Sequence, residues 1–509
     1  MDVLPSAWAF RRKTYPNGQT KKLKARFCVR GDRERAHVHY EPAQIFAPVV
    51  SWTTVRLMLL LTAQLELKSA QVDYVAAFVH APIPLPDNYD ELDELEQKKA
   101  RLYVEMPRGF QEEGKVLRLN KALYGSKNAP SCFFNFLKAN LEAIGFVQAH
   151  EVDQCLFISD KVICLTYVDD TLLFAKEEKD IEDVIKKLKE ERHMDLEIED
   201  DVAGFLGVDI TKNQETGEIY LKQIGLMKKI VEALKLDEGV PTAPTPATET
   251  IGKDDDGDPP HCDFNCASVV GMAFYLYSHS MPEIGFAISQ LARFTFSPKR
   301  SHELALIRLG QYIKGLLEDP NYKGMIMKPL QTDKFEMDIY CDTDFCGLFG
   351  KEKRNDPDNV RSRLGYCITL NGCPLIWKSC LIGSICLSTM MAEYYGLSMA
   401  MKEVLPIRRL VITIGKALDL PGMCESTFKC TAHEDNSAAE ILANLPVGRV
   451  TPRSKFFDVK YHWFRQLLKI YAKEMSVIRI DTKSQLGDAW TKPLPPEDFT
   501  RLRKLISGY

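Results

Sequence analysis

The chain has 509 residues, 45% of them apolar and 27% charged, with a formal net charge of −4. That length exceeds one domain, and that composition fits a globular protein with hydrophobic cores. No run of about 18 uncharged apolar residues occurs, because Arg56 breaks the best one, and Met1-Asp2-Val3-Leu4-Pro5 is no secretion leader.

Residues 7–29 read as a hairpin: Ala7–Phe10 runs out, Leu23–Val29 returns, and Tyr15-Pro16-Asn17-Gly18 turns. Lys24 and Arg26 alternate with Ala25 and Phe27, so they share a face. From Arg11 to Arg35 the cations are opposed only by Asp32 and Glu34, which suits phosphates or, equally, a solvated face. Ser51 can cap a helix through Val55, Met58, Leu59 and Thr62. Gln71–Phe78 reads as a strand end carrying one carboxylate, Asp73, before a small-residue turn. On that stretch alone Asp73 is better explained by capping the turn. Gly125 and Pro130 then open a helix over Ser131–Ile144, with Gly145 past its end.

The densest signal is Tyr167-Val168-Asp169-Asp170. Apolar runs on both sides, Val162–Thr166 and Thr171–Ala175, predict strand, tight turn, strand. Adjacent carboxylates at such a tip repel, and a hard divalent cation would offset the repulsion. Beyond it come a charged helix over Glu178–Arg192, a strand over Gly204–Ile210 paired with Glu218–Leu221, and a helix over Gln223–Leu236. Residues 237–261, rich in proline and holding Asp254-Asp255-Asp256, read as a partly disordered linker. Residues 264–317 read as helical. From Phe335 to Thr482 strands and helices alternate, as in an independent α/β domain.

That last block carries Asp342 at a strand end, Glu393 in the first turns of a helix that Pro406 should kink or end, Asp435 after a strand, and Asp488 in Leu486–Trp490. Glu434, one residue before Asp435, is expected to turn to the opposite face. Four acids so placed can converge to hold two Mg²⁺, though spacing alone favours helix caps and surface acids. The 14 cysteines contain no C-x-x-C pair, which fits reduced intracellular thiols. His261, Cys262 and Cys266 lack a second ligand cluster, so zinc is not expected there.

Several motifs stand in one order. They are Lys24-Ala25-Arg26-Phe27, Phe46-Ala47-Pro48-Val49-Val50, Asp73 with Ala77-Phe78, Leu123-Tyr124-Gly125 through Pro130, Tyr167–Asp170 and Phe205-Leu206-Gly207. Val270-Gly271 and Ile288–Phe294 follow, then Asp342, Leu387–Tyr395, Glu434-Asp435-Asn436, Lys460-Tyr461-His462, and Asp488 with Thr491-Lys492-Pro493-Leu494. Together they resemble the Pol polyprotein of copia-type LTR retrotransposons, in its reverse transcriptase and RNase H region.

The resemblance implies an α/β and α+β multidomain chain. Residues 1–236 would be the fingers and palm of a right-hand polymerase, 237–261 a linker, 262–332 a helical thumb or connection, and 333–509 an RNase H-like domain with a C-terminal tail. It implies an RNA-directed DNA polymerase that also cuts the RNA of RNA/DNA hybrids. Asp73, Asp169 and Asp170 would be the polymerase acids, and Asp342, Glu393, Asp435 and Asp488 the nuclease acids. All seven would bind Mg²⁺ or Mn²⁺. Lys24 and Arg26 would meet the triphosphate, Phe78 would gate the sugar, and Tyr124 and Gly125 would line the nucleotide site. RNA template, DNA primer, hybrid and dNTPs would be the partners, without a membrane, in a cytoplasmic virus-like particle with a nuclear step.

The chain departs from the family in Met391, Ser126 and Asn128, and its first finger elements and other Pol domains are expected to be missing. An inactive copy that only binds nucleic acid, and a chain active only as RNase H, are the rival readings.

Overall fold

The computed structural model describes residues 2–14, 20–86, 88–199, 204–236, 239–332 and 334–509. By packing, the chain forms two units. One comprises Met1–Ser51 and Lys68–Asp201; the other comprises Trp52–Leu67, which contains helix α1 (Trp52–Leu65), and Val202–Tyr509. No described helix is long and apolar enough to cross a membrane.

The first unit opens with the expected hairpin, β1 (Ser6–Thr14) against β2 (Thr20–Val29). Its predicted turn, Tyr15–Gly18, lies outside the described residues. The unit's main sheet contains β3 (Lys68–Tyr74), β4 (Val147–Gln148), β5 (Leu156–Ile158), β6 (Val162–Tyr167), β7 (Asp170–Ala175) and β8 (Leu196–Glu199), in the order β8-β3-β7-β6-β5-β4. Helices α2 (Ala129–Ala143) and α3 (Glu178–Lys186) cover one face. There Phe133, Leu137, Leu141 and Ile181 pack on Val72, Tyr74, Cys164 and Leu173. Pro130 sits in the first turn of α2, where its missing N–H costs nothing. Strand β6 is buried on both faces from Val162 to Thr166, and so reads as an unbroken apolar run.

In the second unit the strand expected over Gly204–Ile210 is two strands. β9 (Gly204–Phe205) turns at Leu206 and Gly207, both with positive φ, into β10 (Val208–Lys212). β10 pairs with β11 (Ile219–Lys222), and β12 (Met325–Met327) completes the sheet β9-β10-β11-β12. Helices α4 (Ile224–Ala233), α5 (Cys266–His279) and α6 (Arg300–Glu318) follow. The described part of the proline-rich segment, residues 239–261, has no helix or strand, yet it is seated. Ala243, Thr245 and Ile251 are buried, Ile251 N donates to Gln290 Oε1 at 2.9 Å, and Lys253 N donates to Glu352 Oε2 at 2.9 Å.

The last sheet is β15-β14-β13-β16-β17, built from β13 (Glu336–Asp344), β14 (Arg363–Leu370), β15 (Cys373–Leu381), β16 (Lys429–Glu434) and β17 (Met475–Arg479). β13–β15 are antiparallel, whereas β16 and β17 add in parallel. Helix α7 (Thr389–Ala417) packs on one face, burying Leu397, Met401 and Val404. Pro406 does not end it. Lys402 and Pro406 lie on the exposed side, where water can satisfy the carbonyl that loses its partner.

Candidate functional sites

In the first unit the hairpin β6–β7 closes through Val168 and Asp169. Val168 has φ +52°, a conformation that turns of this kind normally give to glycine. A β-branched residue there stores strain, of order 1–3 kcal/mol, in the element that aims the acids. Asp170 lies directly across from Asp73 on β3, and Tyr74 N donates to Asp169 O at 3.2 Å. One strand pairing therefore brings Asp73 to the hairpin tip from about a hundred residues away. Gln71 Nε2 reaches Asp170 Oδ1 at 3.5 Å. Asp73 is exposed, and Asp169 and Asp170 are half-buried, so all three can be reached by a ligand.

Aromatic and cationic groups border these acids. Burial raises the Tyr124 hydroxyl above its usual range, Arg26 opposes this, and the charges of Asp169 and Asp73 add to it. The Arg26 guanidinium lies 5.1 Å from the Tyr124 ring centre, and Phe78 meets that ring edge-on at 5.0 Å. Gly125 makes this approach possible. Its φ is +87°, and a Cβ there would lie 2.2 Å from Val29 O, while Val29 N donates to Tyr124 O at 2.8 Å. Lys24 sits one strand repeat from Arg26, roughly 7 Å along β2, and shares its half-buried face.

The second group of acids lies at the end of the five-stranded sheet. Ligand oxygens of Asp342, Glu393 and Asp435 all fall within 4.8 Å of one another. Among the described residues this is the one grouping of His, Cys, Asp and Glu so close together, which leaves Cys262 and Cys266 as a thiol pair 3.5 Å apart. Asp488, expected as a fourth member, is outside it and is held by Lys492 at 2.7 Å. Glu393 is 4% exposed, and its Oε2 is buried with no hydrogen-bond partner. An orphaned buried carboxylate oxygen facing two other carboxylates is what a cation site requires, so the donor set fits a hard divalent ion.

Glu434, expected to turn to the face opposite Asp435, is not turned away from the cluster. Cys430, Ala432 and Glu434 form the buried row of β16; Cys430 and Ala432 are in register with Met337 and Ile339 of β13, and the alternation puts Glu434 on the side of Cys341. Cys341 and Thr343 face α7 at Gly396, so Glu434 is on the side of Glu393. Sequence alternation gave its face relative to Asp435 without showing which face the helix covers. Its Oε1 accepts from Asn436 N at 3.0 Å.

Burial first, then Asp342, Glu434 and Asp435, push Glu393 well above the usual carboxyl range. Glu434 is pushed up to about 8, again mainly by burial, and Asp488 to about 7 by burial and Asp342. Such acids bind protons more tightly folded than unfolded. The resulting destabilisation is absent below the ordinary glutamate range, grows as pH rises, and is complete above about 8. In EDTA, stability should therefore fall between about pH 4.5 and pH 8, by up to about 1.4 kcal/mol per pH unit for each such group, and melting temperature with it. Glu434→Gln should flatten that slope, and Mg²⁺ should flatten it in the unaltered chain. A melting curve independent of pH in EDTA would contradict the crowding of these acids.

Carboxylates thus meet at the ends of neighbouring strands in one sheet, and three more converge at the end of another. Residues 2–248 match the family described as reverse transcriptase (RNA-dependent DNA polymerase). Over 99% of its length the chain is 26% identical to the retrovirus-related Pol polyprotein from transposon TNT 1-94 of Nicotiana tabacum, covering 35% of that protein. It is 27% identical to that from transposon RE1 of Arabidopsis thaliana, covering 99% of the chain and 32% of the relative. It is 24% identical to the transposon Ty1-DR1 Gag-Pol polyprotein of Saccharomyces cerevisiae, covering 98% and 27% respectively. The chain thus spans about a third of the length of the curated relatives it matches, and the copia-type resemblance read from the sequence is borne out.

Proposed function

We propose that this chain is an RNA-directed DNA polymerase that also degrades the RNA strand of RNA/DNA hybrids. The observation that carries the reading is the pairing of Asp73 with Asp170 at the tip that bears Asp169. In this reading residues 1–236 supply fingers and palm, residues 262–332 a thumb or connection, and residues 333–509 an RNase H-like domain. Asp73, Asp169 and Asp170 hold Mg²⁺ or Mn²⁺ for polymerisation; Asp342, Glu393 and Asp435, with Asp488 beside them, hold it for hydrolysis. Bound there, the ion would neutralise charge on the transferring phosphate and acidify the attacking hydroxyl or water.

The remaining steps belong to the chain's own residues. Arg26, fixed against Tyr124, and Lys24 beside it bind the triphosphate, so catalysis is positioning and charge neutralisation. Template and primer are bound largely through phosphates, so affinity should fall steeply with salt. Primer extension on an RNA template by the purified chain tests the reading, and a chain that binds primed template without extending it would overturn the polymerase assignment.

Phe78 follows Asp73 by five residues, and its ring is braced edge-on by Tyr124 and by Phe133. A ring so fixed beside the acids fills the space that a ribose 2′-hydroxyl would need. Phe78→Val should raise rNTP incorporation relative to dNTP about tenfold or more, a loss of about 1.4 kcal/mol in discrimination. Competitive incorporation measures this, and unchanged selectivity in an active variant would remove Phe78 from the gate.

A further inference from the structure

The three converging acids are not the only charges at the end of the five-stranded sheet. Lys492 Nζ lies 2.7 Å from Asp488 Oδ1 and 3.8 Å from Asp342 Oδ2. The Thr491 hydroxyl donates to that same Asp342 Oδ2. The backbone holds this arrangement closely: a Cβ on Gly487 would come within 2.6 Å of Asp342 N, so the turn before Asp488 is pressed against β13. The acids are buried, with side-chain exposures of 6% for Asp342 and 13% for Asp488, whereas Lys492 is 40% exposed. Its stem thus enters from the surface and delivers one positive charge between two carboxylates. Asp342 is divided accordingly: it belongs to the triad with Glu393 and Asp435, and its Oδ2 is engaged by Thr491 and Lys492.

We propose that Lys492 is a built-in counter-cation of this cluster. It takes the position between Asp342 and Asp488 that a second divalent ion would otherwise occupy, so the cluster binds one divalent ion, at Asp342, Glu393 and Asp435. The inference rests on the metal-binding reading of the acids, and goes beyond it in assigning the number of ions and the residue that sets it. An ammonium close to both Asp342 and Asp488 repels a second ion approaching the same oxygens. It also cancels part of the repulsion among the acids when no ion is bound.

The test is Mn²⁺ binding by the full chain, followed through the electron paramagnetic resonance signal of unbound Mn²⁺. An Asp73→Asn, Asp169→Asn background removes ligands of the first site. In that background one ion should bind at the cluster. Lys492→Met and Lys492→Gln should each add a second ion or tighten binding by about tenfold, whereas Lys492→Arg, which keeps the charge, should bind as the parent does. In EDTA the two neutral variants should melt lower than the parent and recover more on adding Mn²⁺.

Asp342→Asn is the control for the underlying reading. If it leaves binding untouched, the acids are not the metal site and that reading fails. If Asp342→Asn abolishes binding while both neutral variants match the parent in number and affinity of ions, the counter-cation is refuted. Two ions bound by the parent chain would refute it as well. So would an Arg variant that behaves like the Met variant, because shape rather than charge would then be responsible.

Discussion

Asp169→Asn should abolish nucleotide incorporation while leaving hybrid cleavage intact. The substitution keeps the size and shape of the side chain and removes its charge. Asp169 sits at the strained turn of the β6–β7 hairpin, and its carbonyl accepts from Tyr74 N, a backbone bond that the variant retains. The hairpin should fold as before, because its core residues Cys164 and Leu173 are untouched. Lost is the charge that a cation beside Asp73 would need. A fall of roughly 10³-fold or more in single-nucleotide incorporation is expected, about 4 kcal/mol of transition-state stabilisation. The acids Asp342, Glu393 and Asp435 lie on a separate sheet in the other packing unit, so cleavage of RNA in a preformed hybrid should continue at its original rate. Equal loss of both activities would mean that the two groups of acids do not form two sites.

The acids of the first site were legible because each lies where a strand ends. The run Val162–Ala175 has one break in its apolar pattern, at Tyr167–Asp170, and the turn is there. Asp73 could be placed at a strand end from Gln71–Phe78, but its pairing with Asp170 is a long-range event that no local pattern encodes. Where local patterning misled, a residue adopted a conformation that its type seldom prefers. Leu206, at φ +51°, turns a segment that alternates like one continuous strand.

Composition misled over 239–261. Proline and aspartate suggest disorder, yet Ala243 and Ile251 are apolar anchors with buried partners, enough to seat an irregular chain. Lys492 stood in a sequence motif, but the role proposed for it was not legible there, since an i,i+4 pair with Asp488 looks like an ordinary surface salt bridge until Asp342 is brought beside it.

Glu393→Gln should remove divalent-dependent cleavage of RNA in a hybrid by roughly 10³-fold or more, with primer extension retained. Glu393 stands in the first turns of α7, whose Leu397, Met401 and Val404 are buried against the sheet, so the helix is fixed by packing that the variant does not touch. Its carboxylate is 4% exposed, faces Asp342 and Asp435 within 4.8 Å, and leaves Oε2 without a hydrogen bond. Glutamine fills the same volume without the charge. In EDTA the variant should therefore melt higher than the parent, because burial and three neighbouring acids all oppose the ionised glutamate. In Mg²⁺ the order should reverse, because the parent gains an ion that the variant cannot hold as well. Glu434→Gln makes the contrast. It also removes a buried, repelled acid on the same side of the sheet, with one oxygen likewise lacking a hydrogen bond, but Glu434 is outside the triad. It should raise metal-free stability and spare cleavage. If Glu434→Gln abolished cleavage and Glu393→Gln kept it, the acid that completes the triad would be the strand residue, and the site would have to be rebuilt around β16.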